Sequence, residues 1–243
     1  MGTLVNVIAI LVGSTIGVLL GNRLPEKMSK TLTDAMGLVV LVIGALNLFS
    51  LQDAEFQRAV TSSGTLLVVL GSLLIGGILG SLLGIDERLN QFGGWLQQKT
   101  SRSGTGNKDK FIEGFVNASL LFTIGPMAVL GALQDGLGQG FDVLALKSTL
   151  DGFTSVAFGA TFGWGVAFSA LPVGIWQGIL YVLALFLGAS LSQAVIAAIT
   201  ATGGILLLGT GLRVLQVRMV NVADLLPALL VAPLLVLLVD ALI

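Results

Sequence analysis

Between residues 64 and 84 the chain carries no charged side chain, and the same holds from residue 2 to residue 21. A helix of about 20 apolar residues matches the thickness of a bilayer's hydrocarbon core. Further runs of this kind fall near residues 34–49, 115–133, 151–170, 173–188, 193–212 and 222–239. In hydrocarbon, backbone polar groups must be bonded within their own segment or around a closed barrel. The alternation that barrel strands require is absent. The expected fold class is therefore all-α: a polytopic membrane protein of about eight transmembrane helices, some of them open to being broken or re-entrant, forming a single transmembrane domain over residues 1–243.

The charge inventory explains why lipid, not a core, accounts for this apolarity. Hydrophobic residues make up 55% of the chain and charged ones 10%, against about 25% charged in a soluble domain. A net charge of −1 gives no basic field, and there is no phosphate loop, so no nucleic-acid partner is expected. The chain contains neither Cys nor His. That excludes disulfides, thiolate chemistry and most zinc or copper sites, and neither a metal nor a cofactor is expected. The first apolar run lacks the basic leader of a secretory signal and reads as a retained span.

Lys and Arg set the orientation. Arg23, Lys27 and Lys30 lie in the first loop, Arg88, Lys99, Arg102, Lys108 and Lys110 in the third, and Arg213 and Arg218 in the seventh. Against these, the second loop offers Arg58 and the fourth Lys147. With eight crossings the three basic loops share the cytoplasmic side, and both termini lie outside. The third loop, at about 85–113, is the long one. Its Ser/Gly/Lys-rich centre predicts a flexible cytoplasmic linker. Leu89, Phe92 and Leu96 at helical spacing, with Trp95 beside them, read with equal weight as a short interfacial helix or as a solvated loop with one aromatic anchor.

Two glycine stripes echo each other: Gly13, Gly17 and Gly21 in the first span, and Gly76, Gly80 and Gly84 in the third. Small residues four apart let a second backbone approach closely where lipid offers no hydrophobic drive to association. GxxxG-type packing inside one bundle is the first reading. A homo-oligomer face and a narrow pathway between helices stay open.

Polarity concentrates between residues 117 and 152. Pro126 cannot donate to the carbonyl four residues back, so a kink or break is expected at Gly125-Pro126. Breaks of this kind free backbone groups that transporters use to hold ions and solutes. Gln134 and Asp135 close this span. Lys147 and Asp151, four residues apart, share a helix face, and the fifth span is expected to begin at Asp151. Charges in a bilayer are rare and demand partners. Asn117, Thr123, Ser148, Thr154 and Ser155 add amide and hydroxyl groups nearby, with Asn47 as a weaker candidate. The resulting picture is a vestibule at the outer ends of two consecutive spans, leading to a broken helix.

The string Gly125-Pro126-Met127-Ala128, Gly131-Ala132, Gln134-Asp135-Gly136-Leu137 and Lys147-Ser148, with Leu150 and Asp151-Gly152, resembles the uncharacterised bacterial inner-membrane family of YqgA/YdfK-like proteins. The late Gly203-Gly204, Gly209 and Gly211 extend the likeness over nearly the whole chain. The resemblance implies a bacterial inner membrane location and no particular substrate. Gln134-Asp135 departs from a more acidic pair, which leaves the charge count of any cation site open.

The favoured reading is a transporter or channel for a small polar solute or inorganic ion, with the lipid bilayer and that solute as partners. The substrate pathway would comprise Asn117, Thr123, Gly125, Pro126, Gln134, Asp135, Lys147, Ser148, Asp151 and Thr154. An oligomeric scaffold or sensor that transports nothing is the alternative. With no nucleophile paired to a base and no metal cluster, an enzyme is not expected.

Overall fold

The fold is that of a computed structural model, which describes residues 1–21, 25–100, 108–124, 126–187 and 192–242. Among these residues every regular element is helical. In chain order they are α1 (Gly2–Gly21), α2 (Glu26–Asn47), a 3-10 turn at Leu48–Gln52, α3 (Ala54–Val60), α4 (Gly64–Leu83), α5 (Ile85–Thr100), α6 (Lys108–Ile124), α7 (Pro126–Gly136), α8 (Asp142–Phe162), α9 (Gly165–Phe168), α10 (Ala170–Leu187), α11 (Gln193–Val214), α12 (Val222–Leu225) and α13 (Ala228–Asp240).

Local chemistry sets several of these limits. The Asp53 carboxylate accepts from the amides of Glu55 and Phe56 and so caps α3, while Ser192 caps α11 through the amide of Val195. Each satisfies an N–H that the first helical turn leaves free. Gly84 ends α4 at φ 60°, and Gly163 ends α8 at φ 77°, conformations that favour a residue without a Cβ. Pro126 opens α7, where its missing N–H is not needed.

Six segments are long and apolar enough to cross a membrane, and a seventh is formed if α6 and α7, which meet at 74°, count as one broken span. The helix α8, at 21 residues, has the length of a span but carries Asp142, Lys147 and Asp151. The expected eight is thus approximate. Outward side chains of the spans are apolar and bare: Leu4, Ile8, Leu11 and Leu19 on α1, and Leu67, Leu74, Ile78 and Leu82 on α4, are all exposed. Apolar faces this extensive need a bilayer to cover them.

Two expectations are corrected. The fifth span does not begin at Asp151. It begins at Asp142 and stops at Gly163, so the residues expected at its far end belong to α9 and α10. The turn before it, with Gly138 and Gly140 at positive φ, tightens the connection enough for helix to start that early. Residues 85–100 form α5, the helical one of the two readings, and residues 108–113 are helical in α6 instead of loop, while residues 101–107, where the flexible centre was expected, lie outside the described residues. The last span keeps its expected place, Val222–Asp240, and is divided at Leu226-Pro227 between α12 and α13, with Pro233 inside α13.

The chain divides into two compact units. Unit 1 comprises Met1–Gly37, Arg88–Thr123 and Met127–Gly188. Its centre is the pair α1 and α8. A Cβ placed on Gly13 would overlap the carbonyl oxygen of Gly152, one on Gly17 that of Val156, and one on Gly21 that of Ala160. Both series ascend, so the two helices run parallel with their backbones touching. Around them, Gly131 of α7 meets Leu144, Gly114 of α6 meets Phe162, and Gly136 meets the backbone of Tyr181 in α10.

Unit 2 comprises Leu38–Glu87, Ile124–Pro126 and Ala189–Ile243. Here α4 supplies the stripe. A Cβ on Gly76 would overlap the backbone of Ala228, and one on Gly80 the carbonyl of Asp224. One series ascends while the other descends, so α4 runs antiparallel to α12 and α13. The third glycine, Gly84, ends the helix and meets no backbone. The helix α11 is largely buried, and its Gly204 lies against the Gly44 carbonyl of α2.

Candidate polar site in unit 1

The α8 sequence places Lys147, Ser148, Asp151 and Ser155 on its buried face, with Leu144, Phe158 and Phe162 continuing that face above and below. Lys147 Nζ forms an ion pair with Asp151 Oδ2, and both side chains are about nine-tenths buried. The Lys147 ammonium also sits 5.8 Å from the ring centroid of Phe122 on α6, an arrangement in which the ring face attracts the cation. An ion pair buried this deeply is weak evidence for stability, because desolvating both charges offsets their attraction.

Several buried polar groups of unit 1 have no partner. The Asn6 amide of α1 faces the Asp151 carboxylate but completes no hydrogen bond of normal geometry. Both polar atoms of Asn6, Asn117 and Gln177 are buried and unpartnered, as are the hydroxyls of Ser14 and Ser155. Asn6, Asn117, Ser155 and Gln177 are fully buried, at 0% exposure. A buried amide left without a partner costs on the order of 1–3 kcal/mol, so each of these groups calls for a partner such as an ordered water or a solute.

Among the residues singled out from sequence, Lys147 and Asp151 are brought together, and they lie in the middle of α8 instead of at its outer end. Ser148 donates to the carbonyl of Leu144 at 2.6 Å, and Thr123 donates to that of Ser119 at 2.6 Å. Both hydroxyls are spent on their own helices. Asp135 does not join the pair. Its carboxylate accepts from the amide of Gly2 at 2.8 Å and from the Met1 amine at 2.8 Å, capping α1. Gln134 and Thr154 are half-buried. Pro126 lies at the bend between α6 and α7, while Gly125 falls outside the described residues.

Asn6, Ser14 and Gln177 escaped the sequence reading. Their signal was present. Asn6 falls on the buried stripe Gly2, Asn6, Ile10, Gly13, Gly17, and Gln177 on the buried stripe Val173, Gln177, Leu180, Ala184. A groove of about 420 Å³ between α5 and α6 is lined by residues that include Trp95, Gln98 and Lys108, and none of the seam residues reaches it. No group of three or more His, Cys, Asp or Glu side chains suited to a metal occurs among the described residues.

Unit 2 also holds a buried pair, of a different kind. Arg213 Nη1 donates to Asp86 Oδ1 at 3.0 Å and to the Val220 carbonyl at 3.4 Å. The Asp224 carboxylate accepts from the Asp86 amide at 2.9 Å, capping the start of α5. These charges join the ends of helices, where Lys147 and Asp151 interrupt the middle of one.

A helical, multi-pass membrane protein with a buried polar seam is what this fold and site define. The chain belongs to the DUF554 family, described as "Protein of unknown function (DUF554)", whose model matches residues 1–237. It is 32% identical over 240 residues to the uncharacterised membrane protein YdfK of Bacillus subtilis (strain 168), covering 99% of this chain and 97% of that protein. It is 30% identical over 234 residues to the uncharacterised protein YqgA of Escherichia coli (strain K12), covering 96% and 94% respectively. No solved structure matches.

Proposed function

We propose that the chain is a transporter or channel that passes a small polar solute or inorganic ion through the interior of unit 1. The observation that carries this reading is the Lys147–Asp151 pair in mid-helix, with the unpartnered Asn6 amide facing it. Charges inside membrane segments mark substrate or ion pathways. Unpartnered amides and hydroxyls are what a passing solute or its water would satisfy.

The glycine stripes serve in this reading as close-packing faces within each unit. Gly13, Gly17, Gly76 and Gly80 are covered by the chain's own backbone, which favours transport over a scaffold assembled through those stripes. The family resemblance suggests the bacterial inner membrane, and with eight crossings the basic-loop rule puts both termini outside. The aromatic pair Phe92 and Trp95, stacked at 5.7 Å with Lys99 4.9 Å over Trp95, suits α5 to the cytoplasmic interface.

Purified protein in liposomes should move one of a screened set of inorganic ions and small metabolites. Flux should vanish in Asp151→Asn and persist in Asp53→Asn, whose carboxylate caps α3 in unit 2. Flux that survives unchanged in folded Asp151→Asn would overturn the assignment of the pathway.

A further inference from the structure

The seam in unit 1 also specifies which solute it suits, and this rests on the transport reading above. We infer that Asp151, Asn6 and Ser155 form a site for a bare monovalent cation, for which the Lys147 ammonium is the tethered competitor, so that the cation enters as Lys147 releases a proton.

The ligand chemistry points to a hard cation. Among the described residues, the groups around the pair offer one carboxylate and neutral oxygens, with neither imidazole nor thiolate. Oxygen donors of this kind suit alkali and alkaline-earth ions. A single carboxylate favours the monovalent class, since a divalent ion would leave an uncompensated charge in a buried site. Asn6 places its amide beside Asp151 with the NH2 toward the carboxylate, and its oxygen, which has no donor, is left for an ion. The Ser155 hydroxyl, one helical turn beyond Asp151, is likewise free. A Cβ on Gly13 would come within 3.1 Å of the Ser155 Cβ, so α1 closes directly over this hydroxyl.

Size excludes larger solutes from this position. The backbones of α1 and α8 touch at Gly13 and Gly152 and again at Gly17 and Val156. A sugar or an amino acid would have to part them, whereas a dehydrated ion needs little more room than the Lys147 nitrogen already occupies. The ammonium holds the place of the cation, bonded to the carboxylate and facing the Phe122 ring.

Charge balance follows. With Lys147 protonated and Asp151 ionised, the pair is neutral. When a monovalent cation takes the carboxylate, the ammonium loses its bond, and leaving both cations in a buried site would add a net positive charge. Lys147 then gives its proton to water and becomes a neutral amine, so the pair with its bound ion is neutral again. One proton leaves for each cation that enters, as metal binding to a protonated site requires. No other charged side chain of the surrounding helices can take up the difference. The helices α1, α9 and α10 contain no Asp, Glu, Lys or Arg, and the titratable group of α10 is Tyr181. The charges of α6 are Lys108, Asp109, Lys110 and Glu113, all in its first two turns. Asp135 of α7 is held by the Met1 amine and the Gly2 amide, and Asp142 lies exposed at the start of α8.

The test is proton release from full-length protein in weakly buffered detergent solution, read with a pH-sensitive dye on adding LiCl, NaCl or KCl, with choline chloride as control. At least one of the three salts should acidify the solution by about one proton per protein at saturation, and choline should not. Lys147→Gln should still bind the cation without releasing the proton. Lys147→Arg, which keeps its charge at any accessible pH, should bind at least 100-fold more weakly. Wild type that elutes as folded protein yet releases no proton with any of the three salts would overturn the inference, and so would undiminished release from Lys147→Gln. The two readings fail separately. Cation-dependent proton release without flux in liposomes would sink transport alone, and flux of another solute without proton release would sink the cation site alone.

Discussion

The helices α1 and α4 carry glycines at the same four-residue spacing, yet they use them in opposite ways. In unit 1, α1 lies parallel to α8, and all three of its glycines meet backbone. In unit 2, α4 lies antiparallel to α12 and α13, and its third glycine ends the helix. What lies beside each contact differs more. The α1–α8 contact borders a buried ion pair and unpartnered amides, whereas Asp86, Arg213 and Asp224 tie helix ends together through bonds that cap and clamp. A small-residue stripe settles how near two backbones come and leaves open what they enclose. Unit 2 leaves the Asn47 amide nitrogen and the Thr202 hydroxyl unpartnered as well, so what sets unit 1 apart is its ion pair in mid-helix.

The largest effect should come from filling the contacts. Gly17→Ala and Gly80→Ala each put a methyl group onto a backbone oxygen, which cannot move as a side-chain end can. Loss of folded protein is expected for both, beyond the 4–5 kcal/mol that single substitutions rarely exceed. Gly178→Ala in α10 meets nothing within 4 Å and should be neutral or slightly stabilising. Yield and thermal unfolding of the three variants in one detergent decide the matter. If Gly17→Ala and Gly178→Ala melt alike, the close approach of α1 and α8 is wrong.

Next in size is the contrast between single and double changes at the ion pair. Asp151→Leu alone leaves Lys147 buried without its counter-ion and should destabilise by about 3–5 kcal/mol. Combined with Lys147→Met it should recover most of that loss, because an apolar pair fills the space without desolvated charge. Flux should stay absent in the double variant. A stable double variant that still transports would show that the pair contributes only packing.

Much of this was legible in the sequence, and the misses have physical causes. Uncharged runs announce helices in lipid without regard to tertiary structure, so the spans emerged, and the i, i+4 spacing of Lys147 and Asp151 put them on one face. Where α8 begins depended on the turn at Gly138 and Gly140, which takes helix back to Asp142 and moves the pair from a helix end to its middle. Asp135 looked like a partner of that pair because it is near in sequence. It bonds instead to residues 133 and 134 positions away, Gly2 and Met1, and no local pattern encodes such a contact. Asn6 was overlooked because one amide in an apolar span reads as incidental until the facing carboxylate is known.

The smallest expected effect lies in unit 2, outside the spans. Burial works against ionisation of Asp53, but bonds from the amide of Phe56, the Gln193 side chain and the amide of Glu55 prevail and hold its carboxyl below the usual range. A group depressed in this way favours folding above its unfolded value, and that contribution disappears as the pH falls through the lower folded value. Asp53→Ala should lower stability by about 1 kcal/mol at neutral pH, and the gap to wild type should close on acidification below the ordinary carboxylate range. A gap independent of pH would remove the charge from this cap.

The most direct measurement compares two serines. Ser155 in unit 1 and Ser72 in unit 2 are both fully buried at 0% exposure, but the Ser72 hydroxyl is bonded to the Val68 carbonyl at 2.6 Å while that of Ser155 is free. With no native cysteine, Ser155→Cys and Ser72→Cys each place a single thiol in the chain, and silver ion, small and water-borne, can be titrated against either in liposomes. If the interior of unit 1 is a pathway, Ser155→Cys reacts at least tenfold faster than Ser72→Cys. Equal protection of the two thiols would contradict it.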